Sequence, residues 1–140
     1  MASEVRGVSL TAPARAEGVR IFRKHASVLF ARWAMNTDER DIAELVISEL
    51  LTNAVMHGRD KMTLMIDHGE SHLEIAVVDH GGAEKPMLPA RHSDDHGRGL
   101  ALVAAVTQGL NIDEMATGWR VRARMSLASP APGHSKALKR

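Results

Sequence analysis

The chain has 140 residues, 44% of them apolar, and a formal net charge of +1 with histidine neutral. That suits one domain with a real core and gives no case for bulk attraction to nucleic acid or membrane. Without cysteine there are no disulfides and no thiolate metal sites, as in a reducing compartment. No apolar run reaches the roughly 18 residues of a membrane span and the N-terminus has no signal-like apolar region, so a soluble, cytoplasmic protein is expected.

With two Phe, two Trp and no Tyr, the core must be built from Leu, Val, Ile, Met and Ala. Residues 5–10 alternate loosely and are expected to form a short strand, with Thr11 placed to cap a helix that begins near Pro13. Over 14–35, Val19, Phe22, Ala26, Leu29, Phe30 and Trp33 recur at helical spacing. Arg15, Arg20, Arg23, Lys24 and Arg32 take other positions, so this is a long amphipathic helix with a basic, solvated outer side.

Asn36 and Thr37 interrupt that pattern. Thr37 starts a second helix, which Gly58 stops. Within it Ile42, Leu45, Val46 and Leu50 are spaced by three and four residues. At roughly 100° per residue, Glu49, Asn53 and His57 fall on the same arc, so a carboxylate, an amide and an imidazole are predicted to point inward. A buried amide left unpaired costs about 1–3 kcal/mol, and an unpaired buried carboxylate costs more. Any one of the three alone reads as a packing device. Three in one row read as groups facing a charged ligand in a cleft.

Two strand-like runs follow, 62–67 and 73–79, joined by a hairpin-length turn at His68-Gly69-Glu70-Ser71. In the second run Leu73, Ile75, Val77 and Asp79 share one face. Residues 81–96 carry two Gly, two Pro and many charges without apolar period, and read as one long loop, either functional or disordered. Gly97-Arg98-Gly99 opens an apolar helix over 100–106, closed by Gly109. Two last strands, 111–115 and 119–127, surround a turn at Thr117-Gly118. Residues 129–140 read as a disordered basic tail, and no internal repeat is present.

Three features carry chemistry. The first is the row of Glu49, Asn53 and His57. The second is Asp79-His80-Gly81-Gly82, where a carboxylate ends a buried strand beside glycine. Such a carboxylate can accept a hydrogen bond from an exocyclic amine, and Gly81 lets a flat ring approach the backbone. The third is Gly97-Arg98-Gly99-Leu100, where glycines open a helix whose free amides and dipole favour a phosphate. Each is weak alone; in this order they describe a nucleotide site.

The same residues resemble the GHKL (Bergerat-fold) ATPase superfamily, and within it the small bacterial anti-sigma-factor serine/threonine kinases. Glu49-Leu50-Leu51-Thr52-Asn53-Ala54-Val55-Met56-His57 is similar to the N box of that superfamily. Asp79-His80-Gly81 is similar to its first glycine box, and Gly97-Arg98-Gly99-Leu100-Ala101-Leu102-Val103 to its second. The resemblance covers about 14–127. It implies that Asn53 ligates a Mg²⁺ bridging the ATP phosphates and that Asp79 binds the adenine amino group. It also implies that Gly81 borders the base and that His57 belongs to the nucleotide-binding box. Gly97, Arg98, Gly99 and Leu100 would then line the phosphates at the end of an ATP lid. Glu49 is the implied general base for the attacking serine. The implied partners are a sigma factor, held inactive, and an antagonist protein that receives the phosphate; a homodimer is compatible with this.

The sequence departs from the superfamily at two places. Trp119 stands where a phosphate-contacting Thr is frequent, and Ala83 replaces a later glycine of the first glycine box. Both bear on catalytic rate more than on ATP binding. His92 and His96, with Asp94 and Asp95 between them, offer a metal pair but read better as solvated lid residues. His25 lacks the flanking Glu and Pro of a phospho-accepting histidine. Lys136, Lys139 and Arg140 lack the interleaved aromatics of a nucleic-acid site.

The expected fold is an α/β two-layer sandwich, a mixed and mainly antiparallel sheet with three helices on one face, forming one kinase domain over 1–128. The expected function is that of an ATP-binding, anti-sigma-factor protein kinase. The alternative is a non-catalytic, ATP-gated module that sequesters a partner.

Overall fold

Alternation in 62–67 and 73–79 makes a hairpin with one apolar face. In the computed structural model, which describes residues 6–57, 60–81 and 98–128, that hairpin is the centre of the sheet. The elements are β1 (Arg6–Pro13), α1 (Ala16–Arg32), α2 (Thr37–His57), β2 (Lys61–His68), β3 (His72–His80), α3 (Arg98–Val106), β4 (Gly109–Met115) and β5 (Gly118–Ser126). Met62, Leu64 and Ile66 of β2 stand opposite Asp79, Val77 and Ile75 of β3. Those apolar residues are buried under the helices.

The strand order is β1-β2-β3-β5-β4. Every described pairing is antiparallel, so the sheet sits at the antiparallel limit of the expected mixture. Chain direction explains this. Two helices lie between β1 and β2, so the chain returns reversed. A single helix lies between β3 and β4, which therefore run the same way, and β5 fills the space between them, opposed to both.

All three helices cover one face, as expected. α2 is central, with α1 beside it over β1 and α3 beside it over β4. The core joins Phe22, Ala26 and Phe30 of α1, Val46, Ile47, Leu50 and Leu51 of α2, and the inward residues of β2, β3 and β5. Gly18 allows α1 its close approach, because a Cβ there would lie 2.9 Å from both Met62 Cε and the Pro13 carbonyl oxygen. The sheet end away from Asp79 is closed by rings, with Trp33 6.3 Å from Phe30 and 5.0 Å from His68. Among the described residues no helix is long and apolar enough to cross a membrane.

Two local expectations are corrected. Thr11 does not cap α1; it lies in β1, where its hydroxyl is 2.8 Å from that of Thr63, and Arg15 takes the cap position without a side-chain bond. Pro13 ends an edge strand, a place where a missing N–H does no harm. α2 does begin at Thr37, because Asn36 caps it. The Glu39 N–H donates to Asn36 Oδ1 at 2.8 Å, and the Asn36 N–H donates to Glu39 Oε1 at 3.1 Å, a reciprocal capping box.

Candidate functional site

Asp79 stands near the end of β3, in the centre of the sheet. β3 keeps its alternation to its last turnward residues, so Asp79 continues the inward parity of Val77 and Ile75. It is 3% exposed, the one buried charged residue among those described. A carboxylate is placed in such surroundings at a high desolvation cost.

Beyond it the chain leaves the sheet through Gly81. This residue has φ +84°, in the left-handed region open to glycine at little cost. Its N–H donates to the Thr117 carbonyl at 2.6 Å, which ties the end of β3 to the β4–β5 turn. Gly118, the next residue of that turn, faces the Asp79 backbone so closely that a Cβ would overlap the Asp79 carbonyl oxygen. In the sequence, Thr117-Gly118 reads only as a turn. Its part in holding Asp79 is a tertiary contact, and the one available signal was a glycine placed immediately before a strand.

His80 points to the opposite, helix-free face. Its Nε2 lies 2.9 Å from Thr63 Oγ1, which in turn lies 2.8 Å from Thr11 Oγ1. This polar chain crosses three strands and holds the tip of β3 to β2 and β1.

Glu49, Asn53 and His57 are each half-buried. The buried stripe of α2 is Ala43, Val46, Ile47, Leu50, Leu51 and Ala54, so the row lies on the flank of that stripe and not at its centre. The inward direction expected from the sequence is thus corrected to a lateral one, which leaves the three side chains at the border between core and solvent. That border is the more useful place for ligand contact, since a group at the stripe centre would be sealed beneath the sheet.

The flank faces α3. A Cβ on Gly99 would run into Glu49 Oε1 and would lie 3.1 Å from Glu49 Cδ. Glu49 and Gly99, far apart in sequence, are therefore in direct contact. The first turn of α3 has no acidic side chain of its own, so Glu49 supplies the negative charge that a helix N-terminus favours. Leu100 is buried in the core and anchors that first turn, leaving main chain to meet a ligand.

Gly58, Gly82, Ala83, the segment with His92, Asp94, Asp95 and His96, and Gly97 lie outside the described residues, as does the tail 129–140. Arg98 is described as the first residue of α3. Among the described residues no group of three or more His, Cys, Asp or Glu is arranged to hold a metal.

This arrangement defines a class. It sets a buried carboxylate at a strand end, a glycine beside it, and a polar helix flank whose Glu49 meets Gly99 in the first turn of α3. The model of the histidine kinase-like ATPase domain matches residues 12–125, and the chain belongs to that family. Among solved structures it is similar to the crystal structure of the RsbU and RsbW domains of Rv1364c from Mycobacterium tuberculosis. The TM-score is 0.63 at 18% identity, over 90% of this chain and 34% of that one. This likeness supports the fold, and the chain spans about a third of that relative's length. No curated protein matches the chain.

Proposed function

We propose that this chain is an ATP-binding serine/threonine protein kinase of the cytoplasm that acts as an anti-sigma factor and phosphorylates an antagonist protein. The observation that carries the reading is the contact between Glu49 and Gly99. It brings a carboxylate to a helix start suited to phosphate. Family membership supports the ATP-binding part. The sigma factor and antagonist rest on the resemblance of the N box and glycine boxes, and on a structural relative that contains an RsbW domain.

In this reading Asp79 accepts a hydrogen bond from the adenine amino group, and Gly81 borders the ring. The first-turn amides of α3, beside Gly99, face the phosphates. Asn53, with His57 one turn further, completes the binding flank. The amide oxygen of Asn53 is a hard donor of the kind Mg²⁺ takes, and Mg²⁺ commonly uses one or two protein oxygens and keeps the rest for phosphate and water. When bound, that ion would neutralise phosphate charge. Glu49 takes the proton of the serine hydroxyl as its oxygen bonds to the γ-phosphorus. The bond to the bridging oxygen breaks and ADP leaves.

The test is Glu49→Gln. It keeps shape and hydrogen bonding but is a poor proton acceptor. ATP affinity by calorimetry should stay near wild type, while transfer from labelled ATP to the antagonist's serine should fall by about 10²–10⁴-fold. Wild-type transfer by the variant would remove Glu49 from the role of base.

A second reading, an ATP-gated binder without phosphotransfer, is favoured by one feature. Trp119, in place of the frequent Thr, is paired with Asp79. Binding of ATP and a partner with no phosphate transfer from wild type would select it.

A further inference from the structure

Trp119 is the partner of Asp79 across β3 and β5, so both side chains leave the sheet on its helix-covered face. Directly paired antiparallel residues have Cβ atoms about 4.5–5.5 Å apart. Here the pair is held from two sides. Gly118 removes the Cβ that would push β5 away from the Asp79 carbonyl, and the Gly81 N–H bonds to Thr117 O at 2.6 Å. The backbone that carries the indole therefore cannot move away from Asp79 without breaking the end of the sheet.

The surroundings differ on the two sides of Asp79. Its partner across β2 is Met62, which is fully buried. Trp119 is only half-buried, whereas Val121, Ala123 and Met125 further along the same face of β5 are buried. Trp119 is thus the accessible end of that face. A carboxylate next to a partly accessible indole suits a flat heteroaromatic ring. The carboxylate reads an amino group at the ring edge, and the indole offers an apolar surface against the ring itself.

We infer that Trp119 contacts the purine base beside Asp79 and sets the affinity for that base. The inference rests on the ATP-binding reading above and adds to it a base contact by an aromatic residue where a hydroxyl is frequent. Base discrimination then falls to the Asp79 hydrogen bond, while the indole supplies tightness without regard to the base's edge pattern.

The chain's other tryptophan, Trp33, packs with Phe30 and His68 at the opposite end of the sheet, so Trp33→Phe leaves Trp119 as a single reporter. In that background, titration with ATP should change tryptophan emission saturably, with the same midpoint as calorimetry. Trp119→Ala should weaken ATP, ADP and adenosine by one common factor, about 10-fold or more, as for loss of an aromatic from a base-stacking contact. Trp119→Phe should retain most of the affinity and guards against a variant that fails to fold. If calorimetry shows ATP binding while Trp119 emission and the affinity of Trp119→Phe and Trp119→Ala all match wild type, the inference is overturned. A loss confined to ATP and absent for adenosine would overturn it as well, since it would place the indole with the phosphates. No calorimetric ATP binding by wild type would remove the ATP reading itself, and this inference with it.

Discussion

Two glycines open the last two strands, and they carry opposite weight. Around Gly109, which begins β4, a Cβ would meet nothing within 4 Å. At Gly118, which begins β5, a Cβ would overlap the Asp79 carbonyl oxygen and lie 2.9 Å from its carbon. The residues belong to one hairpin but to different ends of the sheet. Gly109 starts an edge strand at the end remote from Asp79. Gly118 sits where β3 and β5 pair beside Gly81, whose N–H donates to the Thr117 carbonyl. Glycine is required by close approach at position 118 and is an option at 109. Crowding by backbone, which cannot swing aside, sets these two positions apart.

Substitution by alanine breaks or sharpens that contrast. Gly118→Ala should have the largest effect, about 3 kcal/mol or more of lost stability, because the atom in the way is backbone and cannot swing aside; urea unfolding measures it. Gly99→Ala collides instead with a flexible side chain. Stability should change by no more than about 1 kcal/mol, since alanine also favours the helix. Phosphate transfer should nonetheless fall by about 10²-fold, because the displaced group is the proposed base. A stability change without a rate change would show that Glu49 needs no fixed position.

Gly81→Ala should cost about 1–2 kcal/mol through its positive φ, with a further contact at 3.1 Å from Asp60 Cβ. Gly109→Ala should leave thermal stability within about 0.5 kcal/mol of wild type. A loss at Gly109 as large as that at Gly118 would remove the contrast altogether.

Much of the architecture was legible because its signals are local. Period-two alternation located β2 and β3 and put Asp79 on the inward face. The apolar run after Gly99 located α3, and Asn36-Thr37 marked the start of α2. The orientation of α2 was harder to read. Ile42, Ala43, Leu45, Val46, Ile47, Leu50, Leu51, Ala54 and Val55 cover most of its circumference, so periodicity could not decide which apolar stripe meets the sheet. The stripe chosen by packing shifts Glu49, Asn53 and His57 to the flank. Pro13 misled for a related reason, since it is tolerated both at a helix start and in an edge strand, and only the partner Lys61 settles which. The clamp of Gly118 on Asp79 was beyond reach, because nothing in a chain segment records what backbone will lie against it.

The insertion of β5 between β3 and β4 has a consequence for the order of events during synthesis. The first four strands can all have emerged while β3, the middle of the sheet, still has one edge with no partner. Open edges of apolar strands invite pairing with other chains, and incompletely folded intermediates are where such pairing happens. A nascent chain that stalls before Gly118 would therefore expose the ladder of Ile75 and Val77 to its neighbours. Arrival of β5 fills that edge and, in the same step, brings Gly118 and Trp119 to Asp79, so the sheet and the candidate site form together.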